Sequence, residues 1–156
     1  MAAATAHEHV VGRDELLDFI RPRHRGILIT TRHDGRPQAS PVSMGVDTAG
    51  RVVVSSYPER AKAKNAARNE LASVCVLSDR FDGEWVQVDG RVEVVRQPEA
   101  IEALVEYYRS ISGEHPDWED YRQAMIRQEK VLLRLTIDRW SPISQGGFPA
   151  RLVPVD

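Results

Sequence analysis

Two stretches of this chain alternate apolar and polar side chains at strand period, and they restrict the fold more than any other feature. In EWVQVDGRVEVV, Val86, Val88, Val92 and Val94 fall on one face, and Gln87, Asp89, Arg91 and Glu93 on the other. In EKVLLRLTIDRW, Val131, Leu133, Leu135 and Ile137 alternate against Leu132, Arg134, Thr136 and Asp138. A period of two puts one face of each strand on a core and the other in water. Antiparallel sheets tolerate that arrangement, whereas parallel sheets, covered on both faces, read as continuous apolar runs. Gly90 interrupts the first stretch and marks a bulge or bend.

The remaining segments fit round these two strands. RDELLDFIR spaces Leu16, Leu17 and Ile20 as a short helix that Pro22 ends. RGILITTRHDGRPQASPVSMGV reads as a hairpin turned at Asp34-Gly35, and RVVVSSY returns as a third strand of the same meander. After the break at Pro58, ERAKAKNAARNE has the composition of a helix, and LASVCVLSD reads as a fourth strand. PEAIEALVEYYRSI is amphipathic, with Ile101, Leu104, Val105 and Tyr108 in one stripe. HPDWEDYRQAMIRQ opens a further helix with acids in its first turn. Six strands in all, interrupted by helices rather than alternating with them, predict a mainly β, closed antiparallel barrel with helices flanking it.

At 156 residues the sequence suits one compact domain, expected over 13–156 behind a flexible tail at 1–12. The net charge of -2 argues against general affinity for nucleic acid or an anionic membrane, so any basic site must be local. No apolar run has the length of a membrane span, and MAAATAHEHVVGRDE lacks the pattern of a secretory signal, so a cytoplasmic protein is expected. Cys75 stands alone inside SVCVL, where a buried, inert thiol is expected.

The local basic site is the start of the helix after the third strand. YPERAKAKN sets Arg60, Lys62 and Lys64 where the helix dipole is already positive, and each cation there costs about 0.3–1 kcal/mol. Arg60, Lys64 and Arg68 also stack as like charges at i, i+4 and i+8. Charge alone leaves two readings open: a solvated basic face, or an anion site in which backbone N–H groups and side chains converge on one negative group.

Other chemistry is sparse. The sequence has no glycine-rich phosphate loop, paired CxxC, HExxH or GxSxG, and no pair of carboxylates set apart by spacing. His7 and His9 read as a solvated pair rather than a metal site, and no catalytic side chain and no metal ligand is assigned. An enzyme built this way relies on a cofactor that brings its own reactivity.

GILITTRHDGRPQASPV at 26–42 followed by RVVVSSYPERAKAKN at 51–65 resembles the split β-barrel flavin and deazaflavin oxidoreductases related to pyridoxamine 5'-phosphate oxidase. YYRSISGEHPDWEDYRQAM at 107–125 resembles their actinobacterial branch, which uses the deazaflavin F420. The resemblance, over roughly residues 14–140, implies a six-stranded split barrel of the FMN-binding type. It implies a homodimer with the cofactor at the subunit interface, passing hydride from reduced F420 to an unsaturated small-molecule acceptor. It further implies that Arg60 and Lys62 hold the cofactor phosphate with Lys64 and Asn65 alongside, and that Gln38, Ser40, Pro41, Val42, Ser55 and Ser56 line the ring and ribityl chain. Trp85 would reach the cofactor of the partner subunit, and Trp118 and Tyr121 would serve the interface. The alternatives are an FMN-dependent pyridoxamine phosphate oxidase, or a non-catalytic F420- or haem-binding protein, with His24 or His33 as the haem ligand.

Overall fold

The computed structural model describes residues 4–153, so the first three residues of the expected tail and the last three of the expected domain lie outside the described residues. In chain order the elements are β1 His7–His9, α1 Arg13–Ile20, β2 Arg25–Thr31, β3 Pro37–Ser43, β4 Gly45–Val46, β5 Val52–Ser56 and α2 Ala61–Arg68. They continue with β6 Leu71–Leu77, β7 Val86–Val95, α3 Ala100–Ser112, α4 Trp118–Arg127, β8 Val131–Trp140, β9 Ile143–Gln145 and a 3-10 turn at Ala150–Leu152. No helix among the described residues is long and apolar enough to cross a membrane.

Seven strands form one antiparallel sheet in the order β3-β2-β6-β7-β8-β5-β4. The expected hairpin is β2–β3, with Ile29 opposite Ala39, but the strand expected through Val46 bends at Met44. Its first part, β3, pairs with β2 at one edge of the sheet, and its last two residues, β4, pair with β5 at the other. The two edges are therefore joined by a single residue, and this junction curls the sheet into a split barrel. Met44 is fully buried at the junction, and its N–H donates to the His24 carbonyl at 2.9 Å. The expected meander is corrected accordingly: β5 meets the bent end of the preceding strand and β8, not the body of β3.

The barrel interior is filled as the alternation predicts. Val86, Val88, Val92, Leu133, Leu135 and Ile137 are buried in the main core, closed at one end by Leu16 and Ile20 of α1. Gly90 sits at a register shift between β7 and β8, so the predicted bulge is present. A second, smaller core forms outside the barrel, where Leu104, Val105, Tyr121 and Met125 of α3 and α4 cover Val53 and Leu132. That cover explains why Leu132 is apolar on a face otherwise occupied by Arg134, Thr136 and Asp138: β8 is buried on both sides there. Tyr121, expected at an interface, is buried in this second core and its hydroxyl donates to the Leu104 carbonyl at 2.9 Å. Trp118 packs against the same core edge-on to Tyr108 and Tyr121.

Residues 7–9, within the stretch expected as a tail, pair as β1 with β9. Cys75 on β6 is half-buried, and burial pushes its thiol above its ordinary value, as befits an inert side chain.

Candidate functional site

α2 begins where β5 ends, and its first turn is built without any of the usual compensation. Arg60 is the N-cap, in extended conformation and with no side-chain cap bond, and no acid lies in the first turn. Ala63 and Lys64 donate to the Arg60 carbonyl at 3.0 and 3.1 Å. Among the described residues, the N–H groups of Ala61 and Lys62 have no acceptor. The helix is anchored by Ala63 and Ala66, both buried, which leaves Arg60, Lys64 and Arg68 exposed along one side.

A second element delivers another cation to the same place. In the β5–β8 ladder Ser56 lies opposite Val131, so the next residue beyond each, Tyr57 and Lys130, must also come together. The Lys130 ammonium stands 3.9 Å from the centroid of the Tyr57 ring, and the Arg60 guanidinium carbon is 5.8 Å from the same centroid. Burial, then the charge on Arg60, lowers the pKa of Lys62 below its ordinary value. Burial, then the charges on Lys62 and Arg60, does the same to Lys130. None of Arg60, Lys62, Lys64 or Lys130 forms an ion pair among the described residues, whereas nine arginines elsewhere do. Other arginines also lack a carboxylate partner, and what sets these four cations apart is that two separate elements bring them to one helix start.

A polar thread runs from α2 into the barrel edge. Asn65 is buried, and its Nδ2 donates to Thr30 Oγ1 at 3.1 Å, while its Oδ1 accepts from Arg68 at 2.8 Å. Thr30 Oγ1 donates in turn to Gln38 Oε1 at 3.3 Å, and Gln38 Nε2 donates to Ser40 Oγ at 3.0 Å. Asn65 thus fixes α2 to β2 and, through Thr30, orients Gln38 and Ser40 on β3. Asn65→Ala is expected to leave the Thr30 hydroxyl without its donor and to lower stability by about 1–3 kcal/mol, measured by urea denaturation.

The other predicted residues are distributed by strand period. Gln38, Ser40 and Val42 are half-buried on one face of β3, whereas Pro41 is exposed on the other. Pro41 lacks an N–H and belongs to the edge strand, where none is needed. Ser56 shares the barrel face with Val52 and Val54 and donates to the Tyr57 carbonyl at 3.0 Å; Ser55 faces outward with Val53. Trp85 lies away from α2, bridged to Ser144 and bordering a shallow groove with Gln87 and Arg139. Of the two haem candidates, the Nδ1 of His24 lies 2.9 Å from the Met44 carbonyl, and His33 is exposed in the β2–β3 turn. A more enclosed cavity of about 320 Å³ lies beneath α3, between Arg51, Tyr107 and Arg134, and contains none of the predicted residues.

Residues 13–144 match the model of the pyridoxamine 5'-phosphate oxidase family. The chain belongs to that family. Members of the pyridoxamine 5'-phosphate oxidase family bind flavin-type cofactors, and a phosphate-bearing group of that kind fits the unpaired cations and free N–H groups at the start of α2. Solved structures agree on the fold. A conserved hypothetical protein from Mycobacterium tuberculosis is 24% identical, with 86% of this chain and 85% of that one covered, at a TM-score of 0.71. An F420 reductase from Mycobacterium smegmatis is 21% identical, covering 85% of this chain and 98% of that one, at 0.61. An FAD and haem binding protein from the same organism is 18% identical, covering 94% and 76%, at 0.67.

Sequence reasoning missed Lys130, Tyr57 and Thr30. Lys130 is 68 residues from Lys62 along the chain (130 − 62), and only the β5–β8 register brings the two together.

Proposed function

We propose that this protein is an F420-dependent oxidoreductase of the pyridoxamine 5'-phosphate oxidase family, which reduces an unsaturated small-molecule acceptor. The observation that carries the reading is the set of cations at the start of α2, left without carboxylates beside two unengaged N–H groups. Arg60 and Lys62 would hold the phosphodiester, and Lys64 and Arg68, further along the exposed side, would meet the carboxylates of the tail. A cofactor with both phosphodiester and carboxylate charge suits this row of cations better than FMN, whose charge ends at one phosphate. Gln38 and Ser40, held by the thread from Asn65, would hydrogen-bond the ring and ribityl chain, with Val42 beneath them. Of the remaining expected residues, Ser55 on the outward face of β5 would extend this lining, Pro41 and the buried Ser56 would shape its backbone from the opposite faces, and Trp85 would act across a homodimer interface.

When bound, the reduced cofactor supplies the hydride. The chain supplies binding, orientation and exclusion of water, and no side chain is required as a nucleophile. The protein would act in the cytoplasm, on a freely diffusing acceptor.

The test is a titration with F420 and with FMN, followed by tryptophan quenching, then reduction of candidate acceptors by reduced cofactor. The expected result is tighter binding of F420 and turnover of at least one acceptor. Tighter FMN binding would replace this reading with the flavin oxidase. Tight F420 binding without turnover on any acceptor would leave a carrier.

A further inference from the structure

We infer that Lys130 is a third cationic ligand of the anion site at the start of α2, and that the site takes a group with at least two negative charges, such as a phosphate monoester or a phosphodiester beside a carboxylate. The inference rests on the proposed cofactor site and extends it to a residue on a different element.

The backbone at Lys130 is fixed independently of its side chain. Glu129 takes a left-handed φ of 51°, Lys130 N–H donates to the Met125 carbonyl at 3.1 Å, and Gln97 Nε2 donates to the Lys130 carbonyl at 3.0 Å. β8 starts at the next residue, so the side chain leaves a rigid corner aimed at Tyr57. There the ammonium is partly withdrawn from water and faces two like charges, Arg60 and Lys62. The nearest acids in sequence, Glu59 and Glu129, form no ion pair among the described residues, so neither neutralises it. A lysine has ample rotamer freedom to swing into solvent. The aromatic face of Tyr57 is a weak attraction at a partly exposed site, and it is shared with Arg60. Arg60 and Lys130 at one ring, with Lys62 close enough to repel Lys130, become favourable when a multiply charged anion sits among them, and one negative charge would not neutralise the three.

The experiment uses the full chain and the variants Lys130→Met, Lys130→Arg and Lys62→Ala. Affinities are measured for F420 against its phosphate-free deazaflavin core, and for FMN against riboflavin, at two salt concentrations. Inorganic pyrophosphate is added separately as a ring-free probe, read by the shift in melting temperature. Lys130→Met is expected to weaken the phosphate-bearing member of the bound pair about tenfold and to flatten its salt dependence. It should leave the phosphate-free member unchanged and remove most of the pyrophosphate shift. Lys130→Arg should retain most of the affinity, and apo Lys130→Met should melt no lower than wild type, because a repulsion has been removed.

Equal loss for phosphate-bearing and phosphate-free ligands, or a lowered apo melting temperature, would mean that Lys130 only props Tyr57, and would overturn the inference. If Lys62→Ala weakens binding and Lys130→Met does not, the inference falls while the cofactor reading stands. If no cofactor binds but pyrophosphate stabilises wild type and not Lys130→Met, the cofactor reading falls and the inference stands. Wild type indifferent to cofactors and pyrophosphate alike removes both.

Discussion

Lys62→Ala is expected to weaken cofactor binding by about 1.5–3 kcal/mol, the scale of a hydrogen bond to a charged group, or roughly ten- to hundredfold in Kd. Its folding stability should stay close to wild type. The two halves of that result have separate causes. Lys62 is half-buried on α2, makes no hydrogen bond or ion pair among the described residues, and sits beside Arg60 with its charge disfavoured by burial. Removing it relieves repulsion and leaves no donor or acceptor stranded. An anion in the site reverses the balance, because the ammonium then gains a partner in surroundings drier than bulk water. The pH dependence follows with a definite sign. Lys62 and Lys130 bind an anion only while protonated, and both have pKa values lowered from 10.5 in the free protein. Affinity is therefore full near neutrality and is lost as pH rises, beginning below the range in which an ordinary lysine deprotonates. Cofactor titration of the variant, with urea denaturation alongside, checks both halves. Unchanged affinity would make the basic turn a solvated face.

The contrast with Asn65→Ala sharpens the assignment. Asn65 lies three residues further along the same helix, one turn on, and its side chain is directed into the protein. Loss of its amide should appear in stability first, and in cofactor binding through Gln38 and Ser40, whereas loss of Lys62 should appear in binding alone. A motif of neighbouring residues is thereby divided into ligands and supports by the direction each side chain takes.

That division marks how far the sequence was legible. The alternation from Val86 to Val94 and from Val131 to Ile137 is local, so the barrel face of β7 and β8 could be read directly. The charge pattern at Arg60, Lys62 and Lys64 is local too, and it stood out because cations crowd the helix end where the dipole is already positive. The strand break at Met44 was not legible, because PVSMGV reads as one continuous strand and only the closure of the barrel divides it between two edges. The same non-locality hid Lys130, whose place depends on the pairing of Ser56 with Val131. It also hid the identity of the second core: the aromatic residues of YYRSISGEHPDWEDYRQAM were visible, but their partners Val53 and Leu132 lie on strands far away in sequence. Strand period predicts that Pro41 cannot share a face with Ser40 and Val42, a consequence of the hairpin that the family resemblance alone did not supply.

Gly90→Ala is expected to destabilise the fold by about 3 kcal/mol, the upper end for overpacking, because the obstacle is backbone rather than a movable side chain. A Cβ at this position would collide with the Thr136 carbonyl of the neighbouring strand. The site lies at the register shift in the β7–β8 ladder: Asp89 is opposite Arg139 and Gly90 opposite Ile137, so Asp138 has no Cα partner. Asp138 instead accepts two hydrogen bonds from Arg91, each at 3.2 Å, which pins the irregularity from the outer face. A bulge of this kind bends and twists a long ladder, and here it allows two strands of ten residues to curl round the core. Gly146→Ala is the control, since a Cβ there meets nothing within 4 Å. Urea midpoints for the two variants should differ clearly, and equal midpoints would show that the close approach at Gly90 is dispensable. The substitution also reaches the candidate site. β8 carries the bulge near one end and Lys130 just before the other, so a ladder that slipped to admit the methyl group would shift Val131 from Ser56 and draw Lys130 away from Tyr57. Weakened cofactor binding in the folded fraction of Gly90→Ala would then be transmitted along a strand, with every ligand side chain still in the sequence.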